Sequence, residues 1–129
     1  MKASASVMQM EIEGNTLVAS WPCLKSVNSS EFFRSFVSLF VTIRQNAIAG
    51  VILDSGQPQG GTVSDSLINF GLKIVPYTAL RRIALLESTD FHWDNNLLQI
   101  FAYCATFKSS PLQAQLFPSR SEALEWLNS

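Results

Sequence analysis

Met8, Met10 and Ile12 alternate with Gln9, Glu11 and Glu13, the period of a strand with one wet face. Gly14-Asn15 offers a tight turn, after which Leu17, Ala19 and Trp21 alternate with Thr16, Val18 and Ser20 as far as Pro22. The chain therefore opens on a β-hairpin, and Pro22, with no N–H for a ladder, ends it. Asn28 and Glu31 have capping-box spacing and predict a helix running to about Asn46. On it, Phe32, Phe33, Phe36, Val37, Leu39, Phe40 and Ile43 cover most of the circumference, leaving one polar stripe of Arg34, Ser38, Thr42 and Gln45. Such a helix is expected to be mostly buried.

Val51-Ile52-Leu53-Asp54 is a continuous apolar run closed by a carboxylate, the pattern of a parallel strand buried on both faces. A loop rich in Gly and Gln follows from Ser55 to Gly61. Thr62 with Asp65 then opens a second helix with Leu67, Ile68, Leu72 and Val75 as its apolar stripe, which Pro76 kinks or ends. Ile83-Ala84-Leu85-Leu86 is the next buried strand. Thr89 or Asp90 can cap a third helix, on which Trp93, Leu97, Phe101 and Cys104 recur about every four residues until Ser109-Ser110-Pro111. Leu112, Ala114 and Leu116 alternate with Gln113 and Gln115 as a half-exposed strand near a sheet edge. Ser119-x-x-Glu122 caps a short last helix that turns Ala123, Leu124 and Leu127 inward. The order β-β-α-β-α-β-α-β-α predicts one α/β domain over residues 1–129, with a mostly parallel sheet and right-handed crossovers.

Composition narrows the function classes. Of 129 residues, 47% are hydrophobic, so a substantial core is available; 15% are charged, and 9 basic against 10 acidic side chains leave a net charge of −1. A general nucleic-acid binder is not expected, because that affinity needs clustered Lys and Arg. The N-terminus lacks the apolar core of a signal peptide, and Phe32 to Ile43 falls short of the roughly 20 residues that span a bilayer, so a cytoplasmic protein without a membrane span is expected. Cys23 and Cys104 form no C-x-x-C pair and read as reduced, half-buried thiols.

The closing stretch, with Leu116-Phe117 and then Ser119, Glu122-Ala123-Leu124 and Trp126-Leu127, resembles the strand and final helix of the SpoIIAA-like, or STAS-like, family of small bacterial proteins. The opening hairpin, the Val51 to Asp54 strand and Arg81-Arg82-Ile83-Ala84 fit the same pattern over nearly the whole chain. The resemblance implies a SpoIIAA-like fold: a five-stranded, mostly parallel sheet with an N-terminal β-hairpin and four helices. It also implies a non-enzymatic regulatory or protein-interaction domain, in which a Ser or Thr at the start of the second helix takes phosphate from a partner kinase. The family's Asp-Ser-Ser-Gly-Leu motif is absent here. The corresponding stretch, Gly61 to Leu67, carries Thr62, Ser64 and Ser66 as the candidate phospho-acceptor or docking hydroxyls.

Gly56-Gln57-Pro58-Gln59-Gly60-Gly61-Thr62 has P-loop glycine spacing after a buried strand, but lacks the Lys that engages phosphates. Its N–H groups could still hold an anion. Phe91-His92-Trp93 follows the next parallel strand, so a ligand pocket at that sheet edge is expected to be bounded by Asp54, Gly60, Gly61, Thr62, Ser64, Glu87, His92 and Trp93. Asp54 and Glu87, each ending a buried strand, are the carboxylates expected to be most affected by burial. No catalytic set, metal-ligand cluster or cofactor motif is recognisable, and His92 has no evident acid–base partner in sequence. The leading expectation is thus a domain that binds another protein, with a homodimer as one form of that partnership. A small-molecule or anion sensor using the edge pocket near Thr62 and Trp93 is the alternative.

Overall fold

Strand alternation sorts the apolar side chains onto two faces of a sheet, and each face collects its own helices. The computed structural model describes residues 9–20, 30–54, 65–88, 91–106 and 112–129. The hairpin is formed by β1 (Gln9–Glu13) and β2 (Thr16–Ser20), and is followed by α1 (Ser30–Gln45), β3 (Gly50–Asp54) and α2 (Asp65–Ile74). A 3-10 turn at Val75–Tyr77 leads to β4 (Arg82–Leu86), α3 (Phe91–Ala105), β5 (Gln113–Phe117) and α4 (Arg120–Leu127). The sheet order is β1-β2-β3-β4-β5, antiparallel in the hairpin and parallel from β2 onward. This mixed five-stranded α/β sheet with four helices has the composition of elements expected from the sequence.

Leu17, Ala19, Val51, Leu53, Ile83 and Leu85 point to one face and form the larger core with α1, α2 and α3. Phe36, Phe40 and Phe101 sit at its centre, their ring centroids 5.4 to 6.4 Å apart. Trp93, Leu97, Phe101 and Cys104 are all buried, as their spacing predicts. On α1 the buried face is narrower than its apolar content suggested: Phe33 is 38% exposed while Ser35 is fully buried. The reason is geometric. α1 packs against α2 along one side, where Gly71 lets the helices approach so closely that a Cβ there would meet Phe40 Cζ at 3.4 Å.

Among the described residues, the opposite face is covered by α4. Ile52, Ala84, Phe117 and Ala123 are its buried residues, with Val18, Leu86, Leu124, Trp126 and Leu127 packed around them. Ser119 accepts from the Glu122 N–H at 3.4 Å, so the last capping box forms as read from sequence. At the other end of α4, Arg82 Nη1 donates to the Trp126 carbonyl and to Ser129 Oγ at 3.0 Å, and its guanidinium lies 5.2 Å from the Trp126 ring centroid. A cation against the last carbonyls favours the negative end of the helix. The capping residues expected at Asn28, Thr62, Thr89 and Asp90 lie outside the described residues, as do Met8, Trp21 and Pro22.

Turn chemistry matches at one end of β2 and departs at one end of α1. Gly14 has φ +62°, the left-handed conformation that a two-residue hairpin turn asks of Gly. After α1 the same region is occupied by Ala47, at φ +50°, while the Ile48 N–H donates back to the Ile43 carbonyl at 3.1 Å. This is a Schellman closure with alanine where glycine is preferred. Replacing Ala47 with Gly is expected to raise unfolding free energy by about 0.5–1 kcal/mol, because the Cβ penalty exceeds the extra chain entropy. Urea denaturation checks it; a loss of stability would show that the alanine is not strained.

Candidate functional site

Parallel pairing fixes which chain segments meet. Asp54 is the partner of Leu86 across β3 and β4, so both strands end on one edge of the sheet. β5 ends beside them, where the Glu87 N–H donates to the Phe117 carbonyl at 2.9 Å. The first turns of α2 and α3 begin after those strands, and Ser66, Glu87 and His92 are exposed in these segments. Thr62, Ser64, Gly60 and Gly61 lie outside the described residues, so of the three candidate hydroxyls Ser66 is the one located.

Of the residues expected to bound one pocket, Asp54 and Trp93 lie on opposite faces of the sheet. Trp93 is 2% exposed and belongs to the larger core under α1, α2 and α3. Leu53 points the same way, so the next residue, Asp54, must project to the opposite face. There it borders a hollow of about 110 Å³ with Gln9, Glu11, Val18, Ser20, Leu86 and Arg120, beside the start of α4. Trp93 is thus a residue of the larger core. Asp54 and Glu87 are both exposed, which corrects the expectation that burial would act on them. The hollow is also well below the roughly 300–1,000 Å³ of pockets that enclose small molecules.

One polar residue at this edge was not singled out from the sequence. Asp94, in the first turn of α3, is 5% exposed. Its Oδ2 accepts from the Ser88 N–H at 2.8 Å and its Oδ1 from the Ser88 hydroxyl at 2.7 Å. A carboxylate can be buried here because two donors and the positive end of α3 satisfy it. The available signal was an acidic residue one turn into a helix that follows a strand-ending Ser. With both oxygens engaged by Ser88, Asp94 is a joint that fixes the β4–α3 turn and orients the exposed side chains beside it. Among the described residues no group of three or more His, Cys, Asp or Glu is placed to hold a metal ion. No described helix is long and apolar enough to cross a membrane.

Asp94→Ala leaves two Ser88 donors without their acceptor and is expected to cost about 1.5–3 kcal/mol, with faster hydrogen exchange at the Ser88 amide. A change below about 0.5 kcal/mol, on the scale of ordinary surface substitutions, would remove its structural role.

Cys104 is a free thiol in the larger core, and desolvation raises its pKa from 9.0 to about 11. Cys23 lies outside the described residues. The native protein therefore holds the Cys104 proton more tightly than the unfolded chain. This stabilisation is complete below pH 9 and is lost as pH rises from 9 towards about 11. Stability curves of the parent and Cys104→Ala should converge over that interval, and curves that stay parallel would refute the shift.

Matched against protein-family models, curated proteins and solved structures, the chain shows no match in any of the three.

Proposed function

We propose that this chain is a non-enzymatic, SpoIIAA-like (STAS-like) regulatory domain of the cytoplasm, and that it acts by binding another protein. The docking surface in this reading is the sheet edge where β3, β4 and β5 end. The observation that carries it is the divergence of Asp54 and Trp93 to opposite sides of the sheet, which leaves exposed Ser66, Glu87 and His92 on a surface instead of around an enclosed ligand. Exposed polar side chains beside a hydrogen-bonded turn suit a macromolecular partner better than a buried small molecule. The family resemblance of the hairpin, the Val51 to Asp54 strand and the Glu122 to Leu127 helix supports the same reading. Ser66 is the described hydroxyl nearest the position at which the resemblance implies phosphate.

Photo-crosslinking residues introduced at 66, 87 or 92, compared with 44 or 81 at the opposite edge, test this in cells that express the chain natively. A discrete protein adduct from the first three positions and none from the second pair is expected. Equal adducts from both edges would sink the reading, and so would a bound small molecule on the recovered chain without any protein adduct. That second result would favour the sensor or carrier alternative. Intact mass of the same sample reads phosphate as an increment of about 80 Da, which Ser66→Ala should remove if Ser66 is the acceptor.

A further inference from the structure

In the strand order β1-β2-β3-β4-β5, β1 and β5 are the lateral strands of the sheet, each with one side unpaired among the described residues. An unpaired strand side is a row of backbone donors and acceptors that a further strand can use. The two lateral strands are built differently. β1 carries Glu11 and Glu13, both exposed, whereas β5 reads Gln-Ala-Gln-Leu-Phe and has no charged residue. We infer that two copies of this chain associate through β5, strand against antiparallel strand, into one continuous sheet.

The ladder between β4 and β5 sets the phase of the free side. The Gln113 N–H donates to the Arg81 carbonyl at 2.9 Å, and the Phe117 carbonyl accepts from the Glu87 N–H at 2.9 Å. Residues 113, 115 and 117 therefore turn their backbone groups towards β4, and those of Ala114 and Leu116 point away from it. An antiparallel second copy that overlaps the whole of Gln113–Phe117 places Ala114 opposite Leu116 of the second copy and Gln115 opposite its own counterpart. In that register every outward N–H and C=O of Ala114 and Leu116 meets an outward partner. Full overlap and correct hydrogen-bond phase thus coincide. The side chains agree with it. Ala114 and Leu116, which pack against the larger core, set a small residue against a large one across the junction. Gln113 and Gln115 share the face of Phe117, and a Gln amide, both donor and acceptor, pairs with a copy of itself. The same operation on β1, centred on Glu11, would set that carboxylate against its own copy, so β1 is guarded where β5 is not. Helix α3 packs on one face of β5 and α4 on the other, which leaves the backbone side for pairing.

This interface runs along the side of β5, apart from the docking surface at the strand ends, so either can fail without the other. Analytical ultracentrifugation of the full chain should show a dimer that dissociates on dilution from millimolar to micromolar concentration. Over the same range the Ala114 and Leu116 amides should lose hydrogen-exchange protection, a readout that needs no variant. Gln115→Lys and Gln115→Glu, exposed substitutions, should each weaken self-association at least about tenfold by setting like charges face to face. An equimolar mixture of the two should restore the dimer, which also shows that both variants fold. Glu11→Lys, on the other lateral strand, should leave association unchanged. A monomer at millimolar concentration, or Ala114 and Leu116 exchange independent of concentration, would overturn the inference. A dimer indifferent to both Gln115 variants would overturn it as well.

Discussion

The structure depends on one constraint, that neighbouring residues of a strand must face opposite sides of the sheet. In β3 and β4 both sides are apolar, with Val51, Leu53, Ile83 and Leu85 on one and Ile52 and Ala84 on the other. Two apolar faces require two covers. α1, α2 and α3 supply the first and α4 the second, so the five strands lie between unequal layers. The same alternation sends Asp54 away from Trp93, so these two residues do not share the wall that proximity in chain order suggested. Function must then be sought where the alternation stops, at the two edges.

Those edges differ in charge for a reason built into the connections. Each crossover helix starts where a strand ends and finishes where the next begins, so helix N-termini collect on one edge and C-termini on the other. Asp65, Asp94 and Glu122 lie in first turns, whereas Arg44 and Lys73 lie in last turns. Such placement complements the helix dipoles and is individually worth a few tenths of a kcal/mol to about 1 kcal/mol. Among the described residues it sets acidic side chains in the first turns of α2, α3 and α4 and basic ones in the last turns of α1 and α2.

Most of the element order was legible because each signal was local. The Met10 and Ile12 alternation, the Val51 to Leu53 run, the Trp93-Leu97-Phe101-Cys104 spacing and the Ser119 to Glu122 cap all follow from residues within one or two turns of each other. What failed required knowledge of neighbours. Phe33 is exposed although it lies in a helix with apolar residues around most of its circumference, because the side of α1 that is covered is decided by α2 and the sheet. Asp94 was passed over because its partner, Ser88, precedes the helix and is brought to it by a turn. Arg82 was read as part of a strand start, yet its side chain crosses to the end of α4 in a contact 44 residues apart in sequence.

The low charge content also changes meaning once the cores are located. Low charge beside 47% hydrophobic residues is compatible with an apolar surface covered by a partner or with a large interior, and Phe117 and Trp126 are side chains on which the two differ. Phe117 is 8% exposed, and its ring lies 5.2 Å from that of Trp126 inside the α4 layer. Phe36, Phe40, Phe101 and Trp93 fill the other layer. The large apolar side chains left exposed among the described residues, Ile12, Phe33, Tyr77 and Tyr103, sit on four different segments and do not by themselves outline a patch. Among the described residues, two cores therefore take up most of the large apolar side chains. In the reading proposed for this chain, recognition rests instead on Ser66, Glu87 and His92, exposed beside the Ser88–Asp94 joint at the strand-end edge. Such groups lose little freedom on binding, because the hydrogen bonds that fix the backbone beneath them form when the chain folds.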